Sequence, residues 1–385
     1  MADFRDALIN YYDMFERDVW CLMGLVLDVS RESLCVAVLN DMMNERRGGV
    51  FSTPNLNYLV QSFEYPSLLD SVCGSEYSVA DGISLVWIAK LLGIPLKERV
   101  SGSGVFERLR RGMSGRAFRV FFFGGPEGAG DRACDVLNSE DSMLIPCGAL
   151  QPGYGPIEEM STPDIIERIK KSEPDFLLVA LGAKKGRAWI EHNKHHFPGV
   201  TISHLGAVVK FTAGSVKRAP VWMQDIGMEW VWRMIEEPAM IKRNMRDGPA
   251  FLGMIRHQVL PYRRYLKQLA KQKFKFSLMV GFLEESENAC TISLSGSLSE
   301  GAMPQIKQTF IEAAKKQKRL ILNMEAVDYI DCSVLAKLQQ LEYCQRQASL
   351  DFVIENLSPE IAQIFKWNNV DYLLPSTFNC QQVWQ

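Results

Sequence analysis

The sequence of 385 residues predicts an α/β protein: a doubly wound, Rossmann-like parallel sheet, then a basic helical appendage, then a smaller α/β domain. Three observations carry this reading. Near-continuous apolar runs, Phe118–Phe123 before Gly124-Gly125 and Phe176–Leu181 before Gly182, suit parallel strands buried on both faces. Helical patterns alternate with such runs, as a parallel sheet with crossover helices requires. The pattern then changes after Pro220. Residues 216–275 hold thirteen Lys/Arg against five Asp/Glu, and a new strand–helix rhythm begins at Phe276.

Taken in order, residues 3–18 read as an aromatic-rich helix and Trp20–Val29 as one strand. A helix follows to Asn44 with Ser30 as its N-cap. Val50–Ser52 reads as a strand ending in Thr53-Pro54-Asn55, and a helix begins after Pro54. Helices are expected over Asp131–Leu137 and, with Pro163 in its first turn, Thr162–Lys171. Short strands are expected over Ser142–Ile145 and Val200–Ser203. Residues 229–275 read as helical, broken near Gly248-Pro249 and at Pro261. Beyond them, Cys290–Leu294 and Leu320–Asn323 read as strands. Pro304–Lys316, Ser333–Arg346 and Pro359–Trp367 read as helices. The expected division is 1–237 for the first domain, 238–275 for appendage and linker, and 276–385 for the second domain.

A net charge of −2 excludes bulk electrostatic attraction to nucleic acid. Nine cysteines without a CxxC pair fit scattered reduced thiols better than a disulfide framework or zinc site. No apolar run approaches the roughly eighteen residues of a membrane span. Asp3, Asp6 and Asp13 stand where a signal peptide carries basic residues. The expected location is therefore the cytoplasm, either free or against the inner face of the cytoplasmic membrane.

At the carboxyl ends of strands in an open α/β sheet, ligands find their crevice. Thr53, Asn55 and Asp81 are three polar side chains placed to meet there. A carboxylate beside hydroxyl and amide groups is suited to taking a proton from a sugar hydroxyl. By themselves, Thr53-Pro54-Asn55 read equally well as a helix start and Asp81-Gly82 as a turn. Gly124-Gly125, with Gly128 and Gly130 before a helix, form either a phosphate cradle or a tight turn. Asp-x-Asp, the usual carboxylate pair for a catalytic metal, is absent from the sequence. No metal or cofactor is expected, so leaving-group charge falls to arginines and backbone N–H groups.

The order of motifs adds context. After Asp81 come Glu98-Arg99-Val100-Ser101-Gly102-Ser103-Gly104, Phe121–Pro126, Gly153-Tyr154, Pro174-Asp175, Leu181-Gly182, Ala213–Pro220 and Gly227–Arg233 with Glu237-Pro238. Over about Trp20–Arg243 this series resembles the WecG/TagA/CpsF family of bacterial glycosyltransferases. The resemblance implies transfer of a sugar from a UDP-sugar to a polyprenyl-diphosphate-linked saccharide, with inversion, in exopolysaccharide or cell-envelope glycan assembly. It places Asp81 as general base, Thr53 and Asn55 as orienting groups, and Arg99 near the leaving diphosphate. Gly124, Gly125, Tyr154, Gly182, Lys185 and Arg218 fall at nucleotide-sugar positions, and Glu229, Arg233 and Arg243 at diphosphate or acceptor positions.

Three departures from the family pattern stand out. An acidic position is Gly104, and Pro-Lys-Gln-Glu reads Lys184-Lys185-Gly186-Arg187. Gly-Val-Gly with a following Asp reads His204-Leu205-Gly206 with Lys210. Basic replacements near the expected nucleotide pocket imply a more anionic donor such as a UDP-uronic acid, an unusual acceptor, or a decayed site that only senses nucleotide sugar.

From about Phe276 to Pro375 the chain resembles STAS domains, through Leu294–Leu298, Leu320–Asp331, Asp331-Cys332-Ser333 and Asn356–Pro359. That resemblance implies a STAS module that regulates or localises the transferase, with Ser333 a phosphorylation candidate and a kinase or other regulatory protein a candidate partner; the plain reading of Ser333 is a capping serine. Basic residues interleaved with aromatics over Pro238–Lys271 suit an anionic membrane surface. A solvated helix packed on the domain is the alternative. Homo-oligomerisation is left open.

Overall fold

The computed structural model describes residues 14–112, 116–216, 219–220, 223, 229–236, 239–271 and 280–375. Its larger sheet has six parallel strands: β3 (Gly49–Ser52), β4 (Tyr77–Ser78), β5 (Phe118–Gly124), β6 (Leu144–Leu150), β7 (Phe176–Ala180) and β8 (Thr201–His204). The order is β4-β3-β8-β7-β5-β6, so the winding reverses at β5, which lies between β6 and β7. Helices α1 (Glu32–Asn44), α2 (Leu56–Ser62), α3 (Ser67–Cys73), α4 (Ile83–Leu92), α5 (Gly102–Arg111), α6 (Ala129–Asn138), α7 (Pro163–Lys171), α8 (Ala183–Asn193) and α9 (Gly206–Thr212) accompany these strands. Phe121, Phe122 and Phe123 are all buried, so successive residues on opposite faces of β5 both meet packed layers.

The run expected as one strand over Trp20–Val29 is instead an antiparallel hairpin, β1 (Val19–Leu22) and β2 (Leu25–Asp28). Met23 and Gly24 at φ 53° and 89° supply the two left-handed residues that a tight hairpin turn needs. The next helix is capped by Arg31, without a side-chain cap, rather than by Ser30. Ser30 instead accepts a hydrogen bond from the Tyr77 hydroxyl.

The appendage comprises α10 (Glu229–Glu236), α11 (Ala239–Met254) and α12 (Leu260–Lys271). The expected breaks at Gly248-Pro249 and Pro261 do not occur: α11 continues through Pro249. A π-helical turn over Ile255–Val259 joins α11 to α12 just before Pro261. Widening the turn there relieves the proline ring of its clash with the preceding carbonyls.

The second sheet has the order β12-β11-β10-β9, with β9 (Val280–Glu285), β10 (Ala289–Leu298), β11 (Arg319–Ile330) and β12 (Phe352–Glu355). Only β9 runs antiparallel to its neighbour. Helices α13 (Met303–Lys315), α14 (Cys332–Gln347) and α15 (Pro359–Trp367) complete this domain. In α14, thirteen of sixteen residues are buried, so it is covered on more than its sheet-facing side. The hairpin packs on it. One apolar core contains Leu22 and Val26 of the hairpin, Leu85 and Ile88 of α4, Val259 and Tyr262 of the appendage, and Leu335 and Phe365 of the second domain. The core thus crosses the boundaries read from the sequence.

Candidate active site

The carboxyl ends of β3 and β4 converge because their exits are hydrogen bonded. Val79 N–H donates to Ser52 O at 2.9 Å, Asp81 N–H to Pro54 O at 2.9 Å, and Val100 N–H to Ala80 O at 3.0 Å. These bonds bring Thr53, Asn55, Asp81 and Arg99 to one corner. Asn55 caps α2, accepting from Tyr58 N–H at 3.1 Å, so its helix-start role is realised and its Nδ2 is left for other contacts. The Asp81 carboxylate lies 3.4 Å from Arg99 Nε and receives the Gly102 N–H at 3.4 Å. It is 26% exposed, which leaves it open to a ligand. A Cβ on Gly102 would sit 3.3 Å from Thr53 Oγ1 and overlap the end of the Leu205 side chain, so glycine at 102 lets the N-terminus of α5 abut the Thr53 side of the corner closely.

A second group gathers at β5 and β7. Gly124 and Gly125, at φ 88° and 95°, turn the chain off β5 against Ala180 and Leu181. Gly182 caps α8. Lys185 Nζ donates to the carbonyls of Tyr154 and Gly155 at 3.0 and 2.9 Å, pinning the loop that carries the 84% exposed Tyr154 ring. Gly130 serves packing, since a Cβ there would come within 2.9 Å of Ala149 beneath α6. Only β8 separates β3 from β7, about 10 Å at strand spacing, and β5 lies one strand further. Glu229 and Arg233 fall on α10 and Arg243 on α11. Arg218 and the side chains of these three lie outside the described residues.

The departures from the family pattern have local explanations. A Cβ at Gly186 would overlap the His204 imidazole, so glycine at one position admits histidine at the other. His204 is bonded through Nε2 to Leu181 O, and burial pulls it down to about 4, so it is a neutral packed ring. A Cβ at Gly104 would lie 2.5 Å from Glu32 Oε2: a carboxylate from α1 fills the space that an acidic side chain there would take. Glu32 pairs with Arg108, and no local pattern in the sequence distinguished it.

Two of the basic replacements are engaged by residues of the segment between β3 and β4. Arg187 is buried and donates to the Ser71 and Ser75 hydroxyls at 3.1 Å each, and to Ser71 O. Lys184 Nζ lies 3.5 Å from the centre of the Tyr65 ring. Lys210 is half-buried on α9. Ser333 is 2% exposed, and its hydroxyl donates to Asp331 Oδ1 at 2.6 Å. Modification there requires the N-terminus of α14 to be uncovered first.

A part-exposed carboxylate, an arginine and hydroxyl and amide groups at the ends of β3 and β4, with turning glycines at the ends of β5 and β7, lie where an open α/β sheet enzyme binds its ligand. Residues 20–265 match the model of the glycosyl transferase WecG/TagA/CpsF family, and residues 283–379 match the STAS domain. The chain belongs to the WecG/TagA/CpsF glycosyltransferase family and carries a STAS domain behind the transferase.

Two curated relatives are similar to its transferase part. The N-acetylglucosaminyldiphosphoundecaprenol N-acetyl-beta-D-mannosaminyltransferase of Bacillus spizizenii is 24% identical over 56% of this chain and 82% of its own length. The enzyme of the same name from Bacillus subtilis strain 168 is 27% identical over 52% of this chain and 77% of its own. Among the described residues, no helix is long and apolar enough to cross a membrane.

Proposed function

We propose that this glycosyltransferase moves a sugar from a UDP-sugar to a polyprenyl-diphosphate-linked saccharide with inversion, as a step in exopolysaccharide or cell-envelope glycan assembly. The observation that carries the reading is Asp81, a part-exposed carboxylate oriented by Arg99 and the Gly102 N–H beside Thr53 and Asn55. Asp81 takes the proton of the acceptor hydroxyl as that oxygen bonds to the anomeric carbon. The bond from that carbon to the UDP oxygen breaks on the opposite face, and the electron pair leaves with the diphosphate. Thr53 and Asn55 orient the sugars, while Arg99, with Arg218 or Arg233, meets the developing charge. Gly124, Gly125, Gly182, Lys185 and Tyr154 serve the nucleotide. The lack of Asp-x-Asp supports a leaving group handled without a catalytic metal.

The printed names of the two relatives make an N-acetylmannosaminyl donor and an N-acetylglucosaminyl-diphosphate acceptor the first pair to try. Acceptors of this kind lie in the membrane. Met245 and Leu252, seven residues apart on α11 and 73% and 66% exposed, provide an apolar stripe on a basic helix for an anionic surface.

Radiolabelled transfer from a panel of UDP-sugars to a polyprenyl-diphosphate saccharide tests the reading. Asp81→Asn is expected to lower turnover by about 10²–10⁴-fold with donor binding retained. Binding of UDP-sugars without transfer, unchanged by Asp81→Asn, would instead establish a nucleotide-sugar sensor. The paired fits Gly186–His204 and Glu32–Gly104 match each departure with a neighbour in the packing, and the working enzyme is favoured because Thr53, Asn55, Asp81 and Arg99 are all present.

A further inference from the structure

The three parts of the chain meet at one buried node. Cys21 comes from the hairpin, Tyr262 from α12, and Cys332 and Asn368 from the STAS domain. The Asn368 amide is fixed by donating Nδ2–H to Ile364 O at 2.9 Å, which leaves Oδ1 as acceptor for the Cys332 thiol at 3.4 Å. The Tyr262 hydroxyl lies 3.7 Å from Cys332 Sγ, whose lone pairs can accept from it. Cys21 Sγ donates to Asn368 O at 4.0 Å. Burial pushes both thiols up, Cys21 to about 12, so both stay protonated as this relay requires.

Around the node, Trp367 of α15 lies 5.9 Å from the Tyr262 ring and 5.5 Å from the Tyr265 ring. Gln258 in the π-turn donates to Lys366 O at 3.4 Å. On its other side the appendage reaches the corner of the site. Helix α12 packs on α4, which begins immediately after Asp81-Gly82, and α11 packs on α2, which Asn55 caps. Asn57 of α2 donates to the buried carboxylate of Asp247 on α11.

We propose that the STAS domain is an internal brace for the acceptor side of the transferase, with Tyr262 and Trp367 as positioning residues that hold the appendage against α2 and α4. The appendage is a bridge whose one end is anchored in STAS and whose other end bears on the helices carrying Asn55 and following Asp81. The aromatic side of α12 is therefore spent on the chain itself, while Met245 and Leu252 of α11 stay exposed. Its hold on the site depends on the STAS contact, and the STAS face at Cys332 is engaged in cis.

This proposal rests on the transferase reading, and its test separates the two. Hydrogen exchange and steady-state kinetics are compared in the full chain for wild type, Tyr262→Phe, Trp367→Ala and the conservative Trp367→Phe. Trp367→Ala is expected to speed exchange over residues 255–271 by about tenfold or more while β5 and β7 keep their protection. It should raise KM for the lipid-linked acceptor about fivefold or more, with KM for the donor unchanged. Tyr262→Phe should follow in the same direction but more weakly, and Trp367→Phe should restore both readouts. Faster exchange confined to the STAS strands, or an acceptor KM untouched by a loosened appendage, would overturn the brace. If wild type transfers no sugar, the transferase reading falls, and the exchange pattern alone still decides whether STAS holds the appendage.

Discussion

Gly186 and His204 are a matched pair: the imidazole occupies the volume that any side chain at 186 would need. The ring is neutral and bonded to Leu181 O, so it closes the layer between α8 and β8 rather than acting on a ligand. Restoring glutamine alone, Gly186→Gln, is expected to destabilise the fold by about 2 kcal/mol or more through overpacking. Adding His204→Gly should recover most of that loss. Urea denaturation of both single variants and the double variant measures the coupling, and simple additivity would show that the two sites are independent.

Arg99 lies 3.4 Å from Asp81. Arg99→Ala is expected to reduce kcat about 10²–10³-fold, in the range of a lost charge-stabilising donor. Arg99→Lys should fall between, because an ammonium keeps the charge but not the planar pair of donors. Steady-state kinetics with a fixed acceptor and varied UDP-sugar gives both numbers. Equal turnover in all three proteins would remove Arg99 from the mechanism.

Lys337 is a buried amine between α14 and the residues preceding β1, donating to Arg17 O at 2.8 Å and Gln340 Oε1 at 2.9 Å. Burial first, then Lys307 and Arg17, pulls it from 10.5 down to about 7, against the opposing pull of Asp28 and Asp18. Above pH 10.5 the amine is neutral whether folded or unfolded, and it carries no penalty. As pH falls towards 7, only the unfolded chain takes the proton, so stability declines, by at most about 1.4 kcal/mol per pH unit. Lys337→Met should be more stable at pH 7 and show a flatter dependence between pH 7 and 10. Urea midpoints for the two proteins across that range make the comparison, and parallel curves would refute it.

Ser333 shares Asp331 with two backbone N–H groups of its own helix, at 2.9 and 3.1 Å. Ser333→Ala loses one hydrogen bond and should cost about 1 kcal/mol. Ser333→Glu brings a second carboxylate into the same covered space and should cost about 3 kcal/mol or more. Chemical denaturation of both variants distinguishes these magnitudes. A silent Ser333→Glu would mean that the N-terminus of α14 opens readily.

Met245 and Leu252 are exposed on one face of α11. Replacing both with serine should lower sedimentation with anionic liposomes about tenfold, in keeping with the loss of two buried apolar side chains. Unchanged binding would move the membrane contact elsewhere.

Period and punctuation in the sequence were enough to identify the doubly wound domain, the main strands at Phe118–Phe123 and Phe176–Leu181, and the strand-end placement of Thr53, Asn55 and Asp81, whereas Arg99 was singled out only by the family resemblance. Strand ends and helix starts are local events, written in runs of apolar residues and in Gly, Pro and Asn. The turn at Met23-Gly24 was missed because a short apolar run reads the same through a two-residue hairpin as through one strand. Pro261 reads as a break in the sequence because its compensation, a widened turn, is a property of the packed helix. Tertiary structure alone decided that Arg187 faces α3, that Glu32 fills the space beside Gly104, and that hairpin, appendage and STAS share one core. Each of those depends on residues far apart in the chain meeting in space, and contacts of that kind leave no periodic trace in a single sequence.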